Sequence, residues 1–229
     1  MANESRFLVV NKTNFDQPWA AEFLSQLFSS DMHVMILPLG HDEGWASDAG
    51  AWKERFDEVS AYHYDLERPF RSYGMKSFRW IDYHDVSSAE VKSALAESEL
   101  CVLVGTDPAA CMERIEELDI RDALSSYHGI LVLLSEAAHI LEASFETSDD
   151  VTRDMHEGLG ILPFVKFHMH YAETEEELRH MIRLLEADEK PVLVLSDQSG
   201  VYFEGRSFEL LGDAFIAEDS DLDELYALL

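Results

Sequence analysis

Short apolar runs alternate with amphipathic stretches along this chain, the pattern of strands alternating with helices. Residues 7–10 and 34–37 read as buried strands, with a helix predicted over 18–28 between them. A long helical stretch follows over about 49–70, and residues 78–81 make a third strand. Ser87 and Glu90 form a capping box that opens a helix reaching about Ala96. The continuous apolar run 100–104 ends at Gly105, after which Asp107 can cap a helix and Pro108 suits its first turn. Gly129 breaks the chain before residues 130–134, an unbroken apolar run of the kind buried on both faces at the centre of a parallel sheet. That run ends at Ser135, and Ala137, Ala138, Ile140 and Leu141 then predict a helix. In the second half, 161–167 reads as a strand with the polar tail His168, Met169, His170, Tyr171. Thr174 and Glu177 make another capping box, followed by Leu178, Met181, Ile182 and Leu185 at helical spacing. Residues 192–195 predict a strand, 201–203 and 208–211 a hairpin, and the acidic stretch 218–224 leads into a short last helix.

The alternation implies a three-layer α/β fold, a mostly parallel central sheet with helices on both faces. No repeat, low-complexity tract or linker divides residues 1–229, so a single domain is expected. In such sheets ligands bind beyond the carboxyl ends of the strands. Gly105, Ser135 and the tail at His168 and His170 all lie at such ends.

Composition narrows the partners. The formal charge of −29 argues against binding a nucleic-acid backbone or an anionic membrane, and it fits a strongly solvated surface. No apolar run is long enough to span a bilayer. The first residues lack the basic, apolar and small-residue pattern of a secretion signal. Cys101 and Cys111 form neither a disulfide framework nor a C-x-x-C pair; buried free thiols in a reducing cytoplasm are expected.

A serine between a buried strand and a helix sits where a nucleophile elbow would be. The turn lifts its hydroxyl out of the sheet, a nearby His can take the proton, and a carboxylate can orient that His. The same position also suits an ordinary helix cap, and periodicity alone leaves both readings open.

The run from Gly129 to Ala138, GILVLLSEAA, resembles the strand and elbow of the dipeptidase E and cyanophycinase family of serine peptidases, whose motif there is G-x-S-A-G-A. Gly105, Thr106, Asp107 and Pro108 are similar to that family's G-G-N-[TP] turn. Residues 158–163, GLGILP, are similar to its G-L-G-L-L segment, and Met169, His170 and Tyr171 fall on its P-H-[FY] motif. Residues 191–205 resemble its closing strand, turn and hairpin. The resemblance spans about residues 7–215. It implies a class I glutamine amidotransferase-like fold and hydrolysis of short peptides, often after an aspartyl residue, with no cofactor. It places the nucleophile at Ser135, the general base at His170 and the third catalytic residue at Asp150, with Asp149 beside it. Asp197 is a further orienter of His170. Backbone N–H groups of Thr106 and Glu136 would form the oxyanion hole, in a substrate site that includes Gly105 and Asp107.

Leu133 and Ala137 stand where the elbow motif has glycine, Thr106 replaces the second glycine of the turn, and Glu136 replaces alanine beside the nucleophile. Leu133 requires different local packing, and positive φ at Thr106 would be costly. An inward Glu136 carboxylate would oppose an oxyanion. The alternative function is therefore a catalytically inactive relative that binds a small ligand or partner. A glutamine amidotransferase is a weaker third reading, because neither Cys falls at the elbow. His168 and His170, two apart on a strand, would share a face, but the motif itself offers no carboxylate or thiolate. No metal is expected, and His168 is read as bonded to backbone. His41, Asp42 and Glu43 follow a strand and read as a solvated loop, with pocket lining as the alternative. Trp45, Trp52, Phe56, Tyr62 and Tyr64 read as core or pocket wall.

Overall fold

The computed structural model describes residues 5–41, 48–148, 153–188 and 190–229. Its strands are β1 (Arg6–Val10), β2 (His33–Gly40), β3 (Ser77–Trp80), β4 (Leu100–Gly105), β5 (Ile130–Leu134), β6 (Ser144–Ser148), β7 (Arg153–Glu157), β8 (Lys166–His168), β9 (Val192–Val194), β10 (Ser199–Glu204), β11 (Ser207–Gly212) and β12 (Phe215–Ala217). Its helices are α1 (Pro18–Leu27), α2 (Ala49–Phe56), α3 (Ala61–Ser72), α4 (Ser88–Glu97), α5 (Pro108–Glu117), α6 (Arg121–Ser125), α7 (Glu175–Asp188) and α8 (Leu222–Ala227).

The central sheet has seven strands in the order β11-β10-β1-β5-β4-β2-β3. The strands from β1 to β3 in that order run parallel, and the β10–β11 hairpin adds antiparallel to β1 at the edge. The five residues of β5 are all buried, as the unbroken apolar run requires. Alternation sends Leu131 and Leu133 into the core under α4 and α5, and Ile130, Val132 and Leu134 into the core under α1 and α3. Each such leucine contributes about 1.5–3 kcal/mol by leaving water. Leu133 is thus an ordinary strand residue of the core, and the glycine of the motif is not needed there. A second sheet, β12-β9-β8, carries α7 packed against β9 through Met181, Ile182 and Leu185.

Three expected elements take a different form. The stretch 49–70 is two helices, because Ser60 caps α3, accepting from His63 N at 3.1 Å. The segment after Ser135 is a 3₁₀ turn, Ser135–Leu141, rather than an α-helix. The strand expected over 161–167 is confined to β8. The residues before it are held against the 3₁₀ turn, with Leu159 N donating to Ile140 O at 2.6 Å and Leu162 N to Leu141 O at 2.8 Å. Cys101 and Cys111 are buried free thiols, and burial raises both pKa values, that of Cys111 to about 12. Among the described residues, no helix is long and apolar enough to cross a membrane.

Candidate active site

Parallel register brings three strand ends to one level. Leu134 of β5 pairs with Val104 of β4 and with Val10 of β1, so Ser135, Gly105 and Asn11 follow side by side. They line a cavity of about 410 Å³, within the range of small-molecule sites.

Ser135 leaves β5 with φ 59°, in the left-handed region. For an L-residue this costs about 1–2 kcal/mol, a strain found at nucleophile elbows. Ala137 and Ala138, both fully buried, let the turn fold back against the sheet. The hydroxyl does not cap that turn. It lies 2.8 Å from His170 Nε2 and donates to a Glu136 carboxylate oxygen. His170 follows β8 and also has a positive φ, 56°. Its Nδ1 lies 3.2 Å from Asp197 Oδ1. Ser135, His170 and Asp197 therefore form a continuous chain of side chains.

The segment bearing Asp197 is tied to the end of β1. Asn11 Nδ2 donates to Leu195 O and Ser196 O, each at 2.7 Å. Asn14 Nδ2 donates to Asp197 O at 2.9 Å, and Lys12 is bonded to the Asp197 carboxylate. Asn11 and Lys12 were not singled out from sequence. The signal was available, since both directly follow an apolar strand at its carboxyl end.

Charge shapes the site. Burial works to raise the pKa of Glu136, but hydrogen bonds from His170 and Ser135 outweigh it and hold the carboxyl down to about 2. Bonding to Glu136 raises His170 above the ordinary imidazole value against its burial, with Asp197 adding to the effect. Lys12 holds Asp197 below the usual carboxylate range. Glu136 Oε1 lies 3.4 Å from His170 Nε2, so Glu136 touches both the hydroxyl and the imidazole.

The other expected site residues are distributed as follows. Gly105 and Thr106 line the cavity. A Cβ on Gly105 would lie 1.9 Å from Gly40 O, so only glycine fits there. Thr106 has no positive φ, which removes the strain expected of it. Asp107 is not among the cavity-lining residues; its carboxylate caps α5, accepting from Ala110 N at 2.9 Å. Asp149 and Asp150 lie outside the described residues, as do Asp42, Glu43 and Trp45. His41 is buried and lines the cavity with Tyr62, rather than sitting in a solvated loop. Trp52 and Phe56 form a small core of their own, whereas Tyr64 is exposed and belongs to neither core nor pocket.

His168 and His170 do not share a face. His170 turns to Ser135, while His168 is buried beside α7. No backbone group bonds the His168 ring, though its main-chain O accepts from Leu195 N at 2.9 Å; neither ring nitrogen makes a hydrogen bond, although Nε2 lies 2.7 Å from Glu177 Oε2. Burial drives its pKa down to about 3, leaving the ring neutral.

No family model and no curated protein matches this sequence. Solved structures do match. A protein assigned as a peptidase E from Listeria monocytogenes EGD-e superposes with a TM-score of 0.67 at 12% identity, over 90% of this chain and 98% of that one. A peptidase from an acI-B1 Actinobacterium superposes with a TM-score of 0.61 at 14% identity, over 95% of this chain and 92% of that one. At these identities the likeness is one of fold, and this chain has a peptidase E-like α/β architecture.

Proposed function

We propose that this chain is a serine hydrolase of the peptidase E type that cleaves short peptides, aspartyl peptides among them. Ser135 is the nucleophile, His170 the general base and Asp197 the residue that orients the imidazole. The observation that carries this reading is the 2.8 Å approach of Ser135 Oγ to His170 Nε2, made from two residues that both hold a positive φ. Two strained backbone positions meeting at one hydrogen bond are the mark of a site rather than of a cap. The fold shared with the two peptidases adds support.

Asp197 on Nδ1 favours the tautomer whose Nε2 is free to accept. Ser135 Oγ then attacks the scissile carbonyl carbon as its proton passes to Nε2. The N–H groups of Thr106 and Glu136 take the oxyanion, and His170 returns the proton to the leaving amine. Water, deprotonated by His170, releases the acyl group from Ser135. The cavity suits a substrate of dipeptide size.

Glu136 favours a second reading, a relative that keeps the fold but binds rather than cleaves. Its carboxylate competes with His170 for the Ser135 proton and places negative charge where an oxyanion would form. Steady-state hydrolysis of a panel of Asp-Xaa dipeptides separates the two. The enzyme reading predicts turnover that Ser135→Ala removes with folding intact. Binding of the dipeptides without turnover, equal in both proteins, would establish the binding reading.

A further inference from the structure

A second cluster lies behind the candidate active site, where β8 meets α7. His168 ends β8 and is only 2% exposed, with neither ring nitrogen hydrogen-bonded. A buried imidazole that makes no hydrogen bond from Nδ1 and only a poorly aligned carboxylate contact at Nε2 is costly unless something else takes its lone pair. Its Nε2 points at the Glu177 carboxylate, 2.7 Å away. His180 is three residues after Glu177 on α7, so the two side chains share a helix face. The His180 ring lies 4.8 Å from that of His168, centre to centre. One ligand atom from each of His168, Glu177 and His180 falls within 4.8 Å of the others.

We propose that His168, Glu177 and His180 bind one divalent transition-metal ion, with zinc as the natural fit. Two imidazoles and one carboxylate are a recurrent zinc ligand set, and water completes the tetrahedron. Tetrahedral ligands at zinc distances stand about 3.3 Å apart. The carboxylate of Glu177, now 2.7 Å from His168, and the exposed ring of His180 need only side-chain rotation to reach that spacing. The Glu-x-x-His spacing on one helix recurs in metal sites built from helices. Oxygen-seeking ions such as magnesium and calcium are disfavoured by the two imidazoles.

The ion would join β8 to α7 and close the turn between them. That turn carries His170 and Glu173, both at positive φ. His168 is two residues before His170, so the metal would fix the point from which His170 reaches Ser135. The proposal itself stands on the cluster alone, whether or not Ser135 is a nucleophile.

The test is calorimetric titration of the full chain with zinc, and with cobalt followed by visible absorption, in excess magnesium to occupy surface carboxylates. One equivalent is expected, with a tetrahedral cobalt spectrum and a zinc-dependent rise in melting temperature. His180→Ala, at an exposed position that leaves the fold intact, and Glu177→Gln should each weaken binding at least about tenfold. Absence of saturable binding overturns the proposal. So does zinc binding that magnesium displaces, or that keeps its affinity in His180→Ala.

Discussion

β4 and β5 lie side by side in register, both wholly buried, and each hands the chain to a polar residue at the same edge of the sheet. At the end of β4 the tight geometry falls on Gly105, packed against Gly40, and Asp107 follows with an ordinary negative φ of −121°. Its carboxylate caps a regular ten-residue α-helix. At the end of β5 the unusual φ falls on Ser135 itself, and the hydroxyl leaves the backbone alone to meet His170 and Glu136. A cap needs no strain, and Asp107 has none. The difference lies in where each side chain goes: Asp107 turns back to cap the helix that follows, and Ser135 turns out to meet side chains from other parts of the chain.

The largest expected effect comes from removing that hydroxyl. Ser135→Ala should lower dipeptide hydrolysis at least about 10³-fold, as loss of a nucleophile does in comparable triads. Next is the β4 side of the comparison. Gly105→Ala places a methyl group against the Gly40 backbone and should cost about 2–4 kcal/mol, read as a lower urea midpoint. The contrast between the two polar residues sharpens at smaller scale. Asp107→Ala should cost about 1 kcal/mol through the lost cap, while Ser135→Ala, which caps nothing, should leave stability nearly unchanged in the same denaturation series.

The smallest effect is on pH dependence. His170 must be neutral to accept the serine proton, and bonding to Glu136 raises its pKa, so the acid limb of the kcat/KM profile lies above the ordinary imidazole range. Glu136→Gln removes that charge, and the limb should move to lower pH. An unmoved limb would assign the titration to another group.

The central strands were legible because β1, β2, β4 and β5 are short, near-continuous apolar runs between breakers or amphipathic stretches, as strands buried on both faces require. The β6–β7 hairpin was not, since Ser144–Ser148 and Arg153–Glu157 are mostly polar and, among the described residues, pair only with each other. Residues 161–167 read as strand from their apolar content, but only Lys166 and Phe167 join β8; before them Leu162 N is bonded to Leu141 O of the 3₁₀ turn instead. The family resemblance pointed to Ser135 and His170 and gave Asp150 as the third residue, with Asp197 only as a further orienter. Asp150 lies outside the described residues, and Asp197 is the carboxylate found beside His170. Which carboxylate meets His170 Nδ1 depends on how the end of β1 pins residues 195–197, and spacing does not encode that. Likewise Glu177 reads as half of a capping box with Thr174, whose hydroxyl does accept from Glu177 N at 3.2 Å. Its side chain is nonetheless turned to His168, a contact that exists only once strand and helix pack.

The account turns on Ser135 being presented to His170 as a reactive hydroxyl, and a fluorophosphonate probe followed by peptide mapping reads this most directly. The expected result is an adduct on Ser135 in the folded wild-type protein, formed far more slowly in His170→Asn. A wild-type Ser135 that stays unmodified, or that is modified equally fast without His170, would contradict the account.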